Sequence, residues 1–153
     1  SPLAGMYFQR ELEKRAFVLG GSNYNAPVQR VEDFLDNTKS THLGEVKPSI
    51  CPDYELCDLN TILPDFIADS MKQGIKDMGK KLSGFDNGDA VLTGVETRSS
   101  SPIRILRNNE TLESIKIKGL YPCGEGAGYA GGIISAAVDG IKCAEEIINK
   151  NNK

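Results

Sequence analysis

The chain has 153 residues, about one domain, and its 39% hydrophobic and 25% charged residues are ordinary values for a globular protein. This composition excludes a disordered or collagen-like chain. A net charge of −3 without a basic run disfavours nucleic acid and anionic membranes as partners, and no apolar run reaches the ~18 residues of a membrane span. Because the N-terminus also lacks signal-peptide order, we predict a cytoplasmic protein. Its start at Ser1, not at a methionine, favours a processed product or a piece of a longer chain.

The first predicted element is a helix that starts at Ser1-Pro2 and ends before Gly20-Gly21. Serine is a favoured N-cap and proline a favoured first helical residue, whereas glycine commonly ends a helix. Apolar residues recur near helical spacing at Leu3, Phe8, Leu12, Ala16 and Leu19. Residues 23–27 predict a loop or a short extended piece, and residues 30–35 predict a short helix with its apolar side chains facing inward.

A long helix is predicted from Pro64 to about Leu82. It follows a polar loop over 36–53 and a short turn that Asp58 can cap. The apolar positions, nearly all four apart, are Ile67, Met71, Ile75, Met78 and Leu82. This spacing predicts that they form the packed face of the helix. Gly84 is the expected C-terminal stop.

The pattern changes after residue 85, where strands are expected instead of helices. Residues 90–97 and 103–107 each predict a strand, and the alternation around Ile115 and Ile117 predicts a third. A polar Ser/Pro connection at 99–102 separates the first two. The predicted fold class is therefore α+β, with a mainly helical part followed by short strands and a closing strand–turn–helix.

No metal site is predicted from the four cysteines and the single histidine. Cys51 and Cys57 are six residues apart, Cys123 and Cys143 are twenty apart, and neither spacing is that of a zinc site. Free thiols are the favoured interpretation, with a Cys51–Cys57 bridge as the minor alternative. Cys123 directly precedes a glycine-rich turn, so a redox role is conceivable, but we expect a small buried residue at a strand end. His42 is predicted to be a loop residue.

The most informative segment is GLYPCGEGAGYAGG at 119–132, followed by an amphipathic helix. It predicts a short strand, a turn with five glycines in nine positions, and a helix N-terminus with unpaired N–H groups. Such a helix start suits an anion or a nucleotide, although a purely structural turn is the alternative. The segment is not the dinucleotide fingerprint, because no second strand follows the helix. The predicted inner face of the helix comprises Ile133, Ala137, Ile141, Ala144 and Ile148.

The same segment resembles the closing part of two-dinucleotide-fold flavoproteins, whose pattern is roughly G-L-Y-x-x-G-E. It looks closest to the uncharacterised bacterial FAD-dependent dehydrogenases, also called NAD(P)/FAD-dependent oxidoreductases. Three further stretches resemble that family: SPLAGM at 1–6, APVQR at 26–30, and VLTGVETR at 91–98 with SSP at 100–102. The resemblance spans almost the whole chain, but the N-terminal FAD fingerprint of the family is absent from it.

The resemblance implies three segments: a helical cap or substrate region at 1–85, a linking strand region at 86–118, and a closing FAD-binding segment at 119–153. It implies that Gly124 and Glu125 meet the ribityl and pyrophosphate groups of FAD, and that Gly131 and Gly132 lie beneath the flavin. The cofactor-binding set implied is Gly124, Glu125, Gly126, Gly128, Tyr129, Gly131 and Gly132. For Tyr129 we expect contact with the flavin ring, the alternative being a cover over the helix start.

The function implied is that of a fragment of an FAD-dependent oxidoreductase. Its expected partners are the missing N-terminal FAD-binding half and a small-molecule substrate, and its cofactors are FAD in the intact protein, with NAD(P)H as a further candidate. Weak substrate-binding candidates are Glu96 and Arg98, with an exposed Glu–Arg pair as the alternative. Arg104 is expected to belong to such a surface pair, and the catalytic residues are unknown. The alternative functions are a non-catalytic anion- or nucleotide-binding or interaction module, and a structural domain whose glycines serve only the turn.

Overall fold

The computed structural model describes residues 1–152 and has an α+β fold, as predicted. Within these residues there are four α-helices, one 3₁₀ turn at Leu59–Thr61 and one three-stranded sheet. The helices and strands in chain order are α1 (Ala4–Leu19), β1 (Ala26–Arg30), α2 (Val31–Leu35), β2 (Tyr54–Leu56), α3 (Asp65–Gly79), β3 (Val91–Thr93) and α4 (Ile133–Asn151). No helix among the described residues is both long enough and apolar enough to cross a membrane.

The chain divides into two compact units. A central unit comprises Arg10–Glu96, and a terminal unit comprises Ser1–Gln9 together with residues 97–152. The central unit contains the whole sheet, and the terminal unit contains the glycine-rich turn and α4. The segments predicted at 1–85, 86–118 and 119–153 were defined by their expected functions and not by compactness, and they stay a prediction.

The first three helices follow the apolar spacing of the sequence. The predictions for α1, α2 and α3 are confirmed, but two of the helices are shorter than expected: α1 starts at Ala4, and α3 ends at Gly79. Gly21 takes a φ of +92°, the left-handed conformation that lets the chain leave α1. Asp58 caps the 3₁₀ turn as predicted, because its side chain accepts a hydrogen bond from the backbone of Asn60 at 3.0 Å.

The sheet places β1 between β2, which is parallel to it, and β3, which is antiparallel. Val28 on β1 is fully buried and is paired with Leu56 on one side and Thr93 on the other. The extended alternative for 23–27 is thus partly confirmed, while β2 was not predicted. The strand expected over 90–97 is limited to Val91–Thr93.

The hydrophobic core of the central unit forms around Phe34, which is fully buried. Its members are Ala16, Val31, Phe34, Leu59, Ile62, Ala68 and Ile75. The predicted packed face of α3 is wrong in part. Met71 is exposed, and so is Leu82, which lies beyond the end of the helix; Ala68 is buried together with Ile75. The face of α3 that packs against the core is therefore the one that contains Ala68 and Ile75.

Two of the strands predicted after residue 100 are not formed, and the stretch before the glycine turn is irregular as well. Residues 103–117 contain no strand and only one isolated bridge, between Arg107 and Ser114. Ile105, Ile115 and Ile117 are exposed, so their alternation has no covering layer among residues 1–152. A strand needs a continuous ladder of backbone hydrogen bonds, whereas these residues make only single ones, such as Ile105 to Ala127 at 3.1 Å and Ile115 to Leu106 at 3.3 Å.

The inner face of α4 is also different from the prediction. Ile133, Ile141 and Ile148 are exposed, with Ile133 at 89%. The residues of α4 that face the rest of the terminal unit include Asp139 and Cys143 instead, and Cys143 is only 3% exposed. The apolar face of α4 is therefore its outer face in this chain.

Candidate functional site

The glycine-rich turn is a tight turn in which two glycines are required by the backbone. Gly124 and Gly128 have φ values of +70° and +83°, where L side chains are strained. The backbone N–H of Gly128 donates to the carbonyl of Glu125 at 2.9 Å, and that of Tyr129 donates to the carbonyl of Gly124 at 3.0 Å. A Cβ on Gly128 would lie 2.6 Å from the carbonyl oxygen of Ile103. Glycine at these two positions is thus explained within the chain.

The turn leads directly into the N-terminus of α4. Gly132 is the N-cap residue and has an extended backbone. The hydroxyl of Ser135 accepts a hydrogen bond from the N–H of Gly132 at 3.2 Å and donates one to its carbonyl at 2.9 Å. The first N–H groups of a helix have no partner within the helix and carry the positive end of its dipole. The side chains that follow, Ile133 and Ile134, are largely exposed. This helix end can accept negative charge from outside the chain.

A buried ion pair fixes the turn to the helix. Arg107 donates to Asp139 through two nitrogens, at 2.6 and 2.9 Å, and the exposed fractions of these side chains are only 8% and 14%. Asp139 also accepts the backbone N–H of Gly124 at 2.8 Å, and Arg107 donates to the carbonyl of Pro122 at 2.7 Å. The hydrogen bond from Arg107 holds the pKa of Asp139 below its usual range.

Tyr129 is held in place by two arginines and two backbone groups. Its hydroxyl donates to the carbonyl of Ile105 at 3.0 Å and accepts the N–H of Arg107 at 3.1 Å. The guanidinium groups of Arg104 and Arg107 lie 4.9 and 3.7 Å from the ring centroid. Tyr129 therefore connects the turn to residues 104–107. Its contact with a flavin stays a prediction.

Three other glycines of the turn have no close neighbour that excludes a side chain. A Cβ on Gly126 would meet nothing within 4 Å, and those on Gly131 and Gly132 would meet only serine hydroxyls, at 3.6 and 3.5 Å. None of the three has a positive φ. Beside them lies a pocket of about 260 Å³, lined by Ser100, Ser101, Arg104, Gly128, Tyr129, Ala130 and Gly131. These glycines leave an open surface at the helix start.

The predicted substrate candidates belong to different compact units. Glu96 is an exposed residue at the end of the central unit, and Arg98 is an exposed residue of the terminal unit. Their substrate roles stay predictions, as does the role of the exposed Glu125. Arg104 has a different partner from the expected surface glutamate: its Nε donates to the carbonyl of Gly128 at 2.8 Å.

The cysteines are free thiols, as favoured, and no Cys51–Cys57 bridge is formed. The prediction that Cys123 is a small buried strand-end residue is wrong, because it is exposed and lies outside any strand. No cluster of three or more metal-ligating side chains exists among residues 1–152. His42 lies in a loop, with its Nε2 3.4 Å from Arg30.

A second polar cluster in the central unit is structural. Arg30 pairs with Glu32 at 2.7 Å and with Asp89 at 2.9 Å. The neighbouring Gln29 is fully buried, and its side-chain oxygen Oε1 accepts the backbone N–H of Leu59 at 2.8 Å. These contacts join β1 to its neighbours, although Nε of Arg30 is buried without a hydrogen-bond partner.

Sequence reasoning did not identify Arg107 and Asp139. The two residues lie 32 positions apart, and each has an ordinary sequence context. The one available signal was the carboxylate of Asp139 within the apolar first half of α4, where a charge without a partner would be costly.

The fold is that of a small α+β chain, in which a glycine-rich turn leads into the exposed N-terminus of the last helix, α4. Residues 1–99 match the model of the family described as "FAD-dependent protein, C-terminal domain-like". The chain belongs to this family. It is also 58% identical over 150 residues to an "Uncharacterized protein" of Clostridium beijerinckii (strain ATCC 51743 / NCIMB 8052), which covers 98% of the chain. The chain spans only 28% of the length of that relative.

Proposed function

We propose that the chain is the C-terminal portion of an FAD-dependent oxidoreductase. In this proposal it supplies a cap or substrate region and the closing segment on the flavin side, and the substrate is a small molecule. FAD, when bound, supplies the capacity to accept or donate a hydride or electrons. The family match supports involvement of FAD. Neither the comparisons nor residues 1–152 support NAD(P)H, so it is not part of the proposal.

The observation that carries the proposal is the open space at three glycines. Gly124 and Gly128 are needed by the turn itself, but Gly126, Gly131 and Gly132 would accept a side chain without a clash inside the chain. Glycine is also needed where another group must approach the backbone closely. A cofactor that lies on the turn would make that approach, and a Cβ at these positions would occupy its place.

The residues present fit the chemistry of FAD. The helix start at Gly131 and Gly132 offers N–H donors and a positive dipole end, which favour an electron-rich pyrimidine edge or a phosphate. The exposed carboxylate of Glu125 can accept hydrogen bonds from ribityl hydroxyls. Arg107 and Asp139 would act indirectly, by holding Gly124 and thus the shape of the turn.

The exposed apolar face of α4 supports a partner within the same protein. Ile133, Ile134, Ile141 and Ile148 form a row on a helix whose polar side faces the terminal unit. Apolar patches of this kind mark interaction surfaces. The relative of Clostridium beijerinckii has about 70% of its length outside the matched region, and we propose that an FAD-binding half there covers this face.

The experiment is a visible absorption spectrum of the intact protein, purified without added cofactor and desalted. We expect flavin bands in the wild type and their loss in Gly126→Val, because the added side chain occupies the open surface. The melting temperature of the cofactor-free variant should equal that of the cofactor-free wild type, since nothing in the chain lies near the new side chain. The control is Gly74→Ala on an exposed position of α3, which should retain the flavin.

Two results would contradict the proposal. A colourless wild type that also fails to bind added FAD would exclude the flavoprotein function and favour an anion-binding or purely structural turn. A Gly126→Val protein that retains its flavin fully would instead refute the assignment of the turn, while leaving FAD dependence of the protein intact.

A further inference from the structure

We propose that Cys123 and Cys143 form a reversible dithiol–disulfide pair that is oxidised by a low-molecular-weight disulfide. The pair lies where the glycine-rich turn starts and where α4 passes beneath it. The proposal concerns residues of this chain alone and does not depend on FAD.

One side-chain nitrogen of Arg107 contacts both Cys143 and the residue that precedes Cys123. Nη1 of Arg107 lies 3.4 Å from the sulfur of Cys143 and 2.7 Å from the carbonyl oxygen of Pro122. That carbonyl carbon is bonded to the backbone nitrogen of Cys123. The backbone of Gly124, on the other side of Cys123, is bound to Asp139 at 2.8 Å, one helical turn before Cys143. Both flanks of Cys123 are therefore anchored beside Cys143.

The two thiols are also close enough to interact electrostatically. Cys123 is among the groups that raise the pKa of Cys143, although the two residues are twenty apart in sequence. A disulfide needs two cysteines that can approach without large backbone rearrangement, and the anchoring of both flanks of Cys123 beside Cys143 favours that approach. The turn and the helix are already joined here by the ion pair of Arg107 and Asp139.

The two cysteines have unequal environments, which assigns them different roles. Cys123 is exposed to a dissolved reagent, whereas Cys143 is buried. Burial raises the pKa of Cys143, and the nearby guanidinium of Arg107 opposes that effect. Cys143 is therefore a protonated thiol that Arg107 can stabilise as negative charge develops on its sulfur.

The chemistry is two successive thiol–disulfide exchanges. The thiolate of Cys123 attacks one sulfur of the external disulfide, which releases one external thiolate and leaves a mixed disulfide on Cys123. The sulfur of Cys143 then attacks Cys123, the mixed disulfide breaks, and the proton of Cys143 passes to the second departing thiolate. The two cysteines are oxidised by two electrons, and the external disulfide is reduced to two thiols.

The other cysteines provide an internal comparison. Cys51 is exposed like Cys123, but Cys57, its nearest cysteine in sequence, is buried and donates its thiol to the carbonyl of Leu19 at 3.2 Å. Cys51 should therefore stop at the mixed disulfide, whereas Cys123 should continue to an intramolecular disulfide.

The test is peptide mass mapping of the intact protein after equilibration in buffers of reduced and oxidised glutathione. We expect the peptides of Cys123 and Cys143 to be linked, with the loss of two hydrogen atoms, and the peptide of Cys51 to carry one glutathione. Dithiothreitol should reverse both. In Cys143→Ser, the linked species should be lost completely and glutathione should accumulate on Cys123.

Matched variants separate the pair from general thiol reactivity. Cys51→Ser should leave the linked species unchanged, and Cys123→Ser should leave Cys143 unmodified because it is buried. A wild-type protein in which Cys123 stops at the mixed disulfide, or stays reduced while Cys51 reacts, would overturn the proposal. Because this measurement uses the wild type, it does not depend on the folding of any variant.

Discussion

Removing the carboxylate of Asp139 should destabilise the protein strongly. In Asp139→Ala, the guanidinium of Arg107 loses both of its charge-assisted bonds while 8% exposed, and the N–H of Gly124 loses its acceptor. Breaking a buried ion pair by removing one partner costs about 3–5 kcal/mol. The stability of a whole protein is typically about 5–15 kcal/mol, so the loss should be a large fraction of the total.

The assay is urea denaturation of the intact protein followed by circular dichroism. A matched control is Glu11→Ala, which removes a carboxylate from the exposed i,i+4 pair with Arg15 and should change the free energy of unfolding far less. A second comparison is the double variant Arg107→Met with Asp139→Leu, which removes both charges and should cost less than Asp139→Ala alone. A loss below about 1 kcal/mol for Asp139→Ala, or a double variant that costs as much as Asp139→Ala alone, would refute the reasoning.

Three other predictions follow from single groups. The hydrogen bond from Arg107 lowers the pKa of Asp139 in the folded state. The stabilisation from Asp139 is therefore present above its unfolded-state pKa and is lost as the pH falls through the folded-state pKa; acid titration of Asp139→Asn should lack this loss. Phe34→Ala should cost about 3–5 kcal/mol in urea denaturation, because its fully buried ring leaves a cavity. Gly128→Ala should lower the melting temperature through the contact with Ile103, whereas Gly74→Ala should raise stability by about 1 kcal/mol, and equal effects would contradict both.

The helices could be predicted because their signals are local. Apolar spacing and terminal glycines located α1 and α3 to within a few residues. Strand β2 was missed because its three residues, 54–56, include an exposed glutamate and have no alternation long enough to detect. The strand expected at 103–107 failed for the opposite reason: its apolar residues have the pattern of a strand, but its hydrogen bonds to neighbouring segments are isolated and do not extend into a ladder.

The turn of the candidate site was located from its glycines, but its supports were not. The ion pair of Arg107 and Asp139 joins residues far apart in sequence, and only the folded chain brings them together. The wrong face of α4 was predicted to be the inner one, because the row of isoleucines is the stronger periodic signal. The side that packs on the rest of the terminal unit contains Asp139 and Cys143. Periodicity identifies which residues favour burial and does not identify which surface buries them.

The ion pair at the turn has a consequence for local opening. The amide of Gly124 is bound to Asp139, that of Arg107 to the hydroxyl of Tyr129, and that of Tyr129 to the carbonyl of Gly124. Because Arg107 contacts Asp139 and the ring of Tyr129 at once, none of these hydrogen bonds can break without weakening the others. The three amides should exchange with solvent deuterium at a common free energy of opening, so that residues distant in the chain form one cooperative unit.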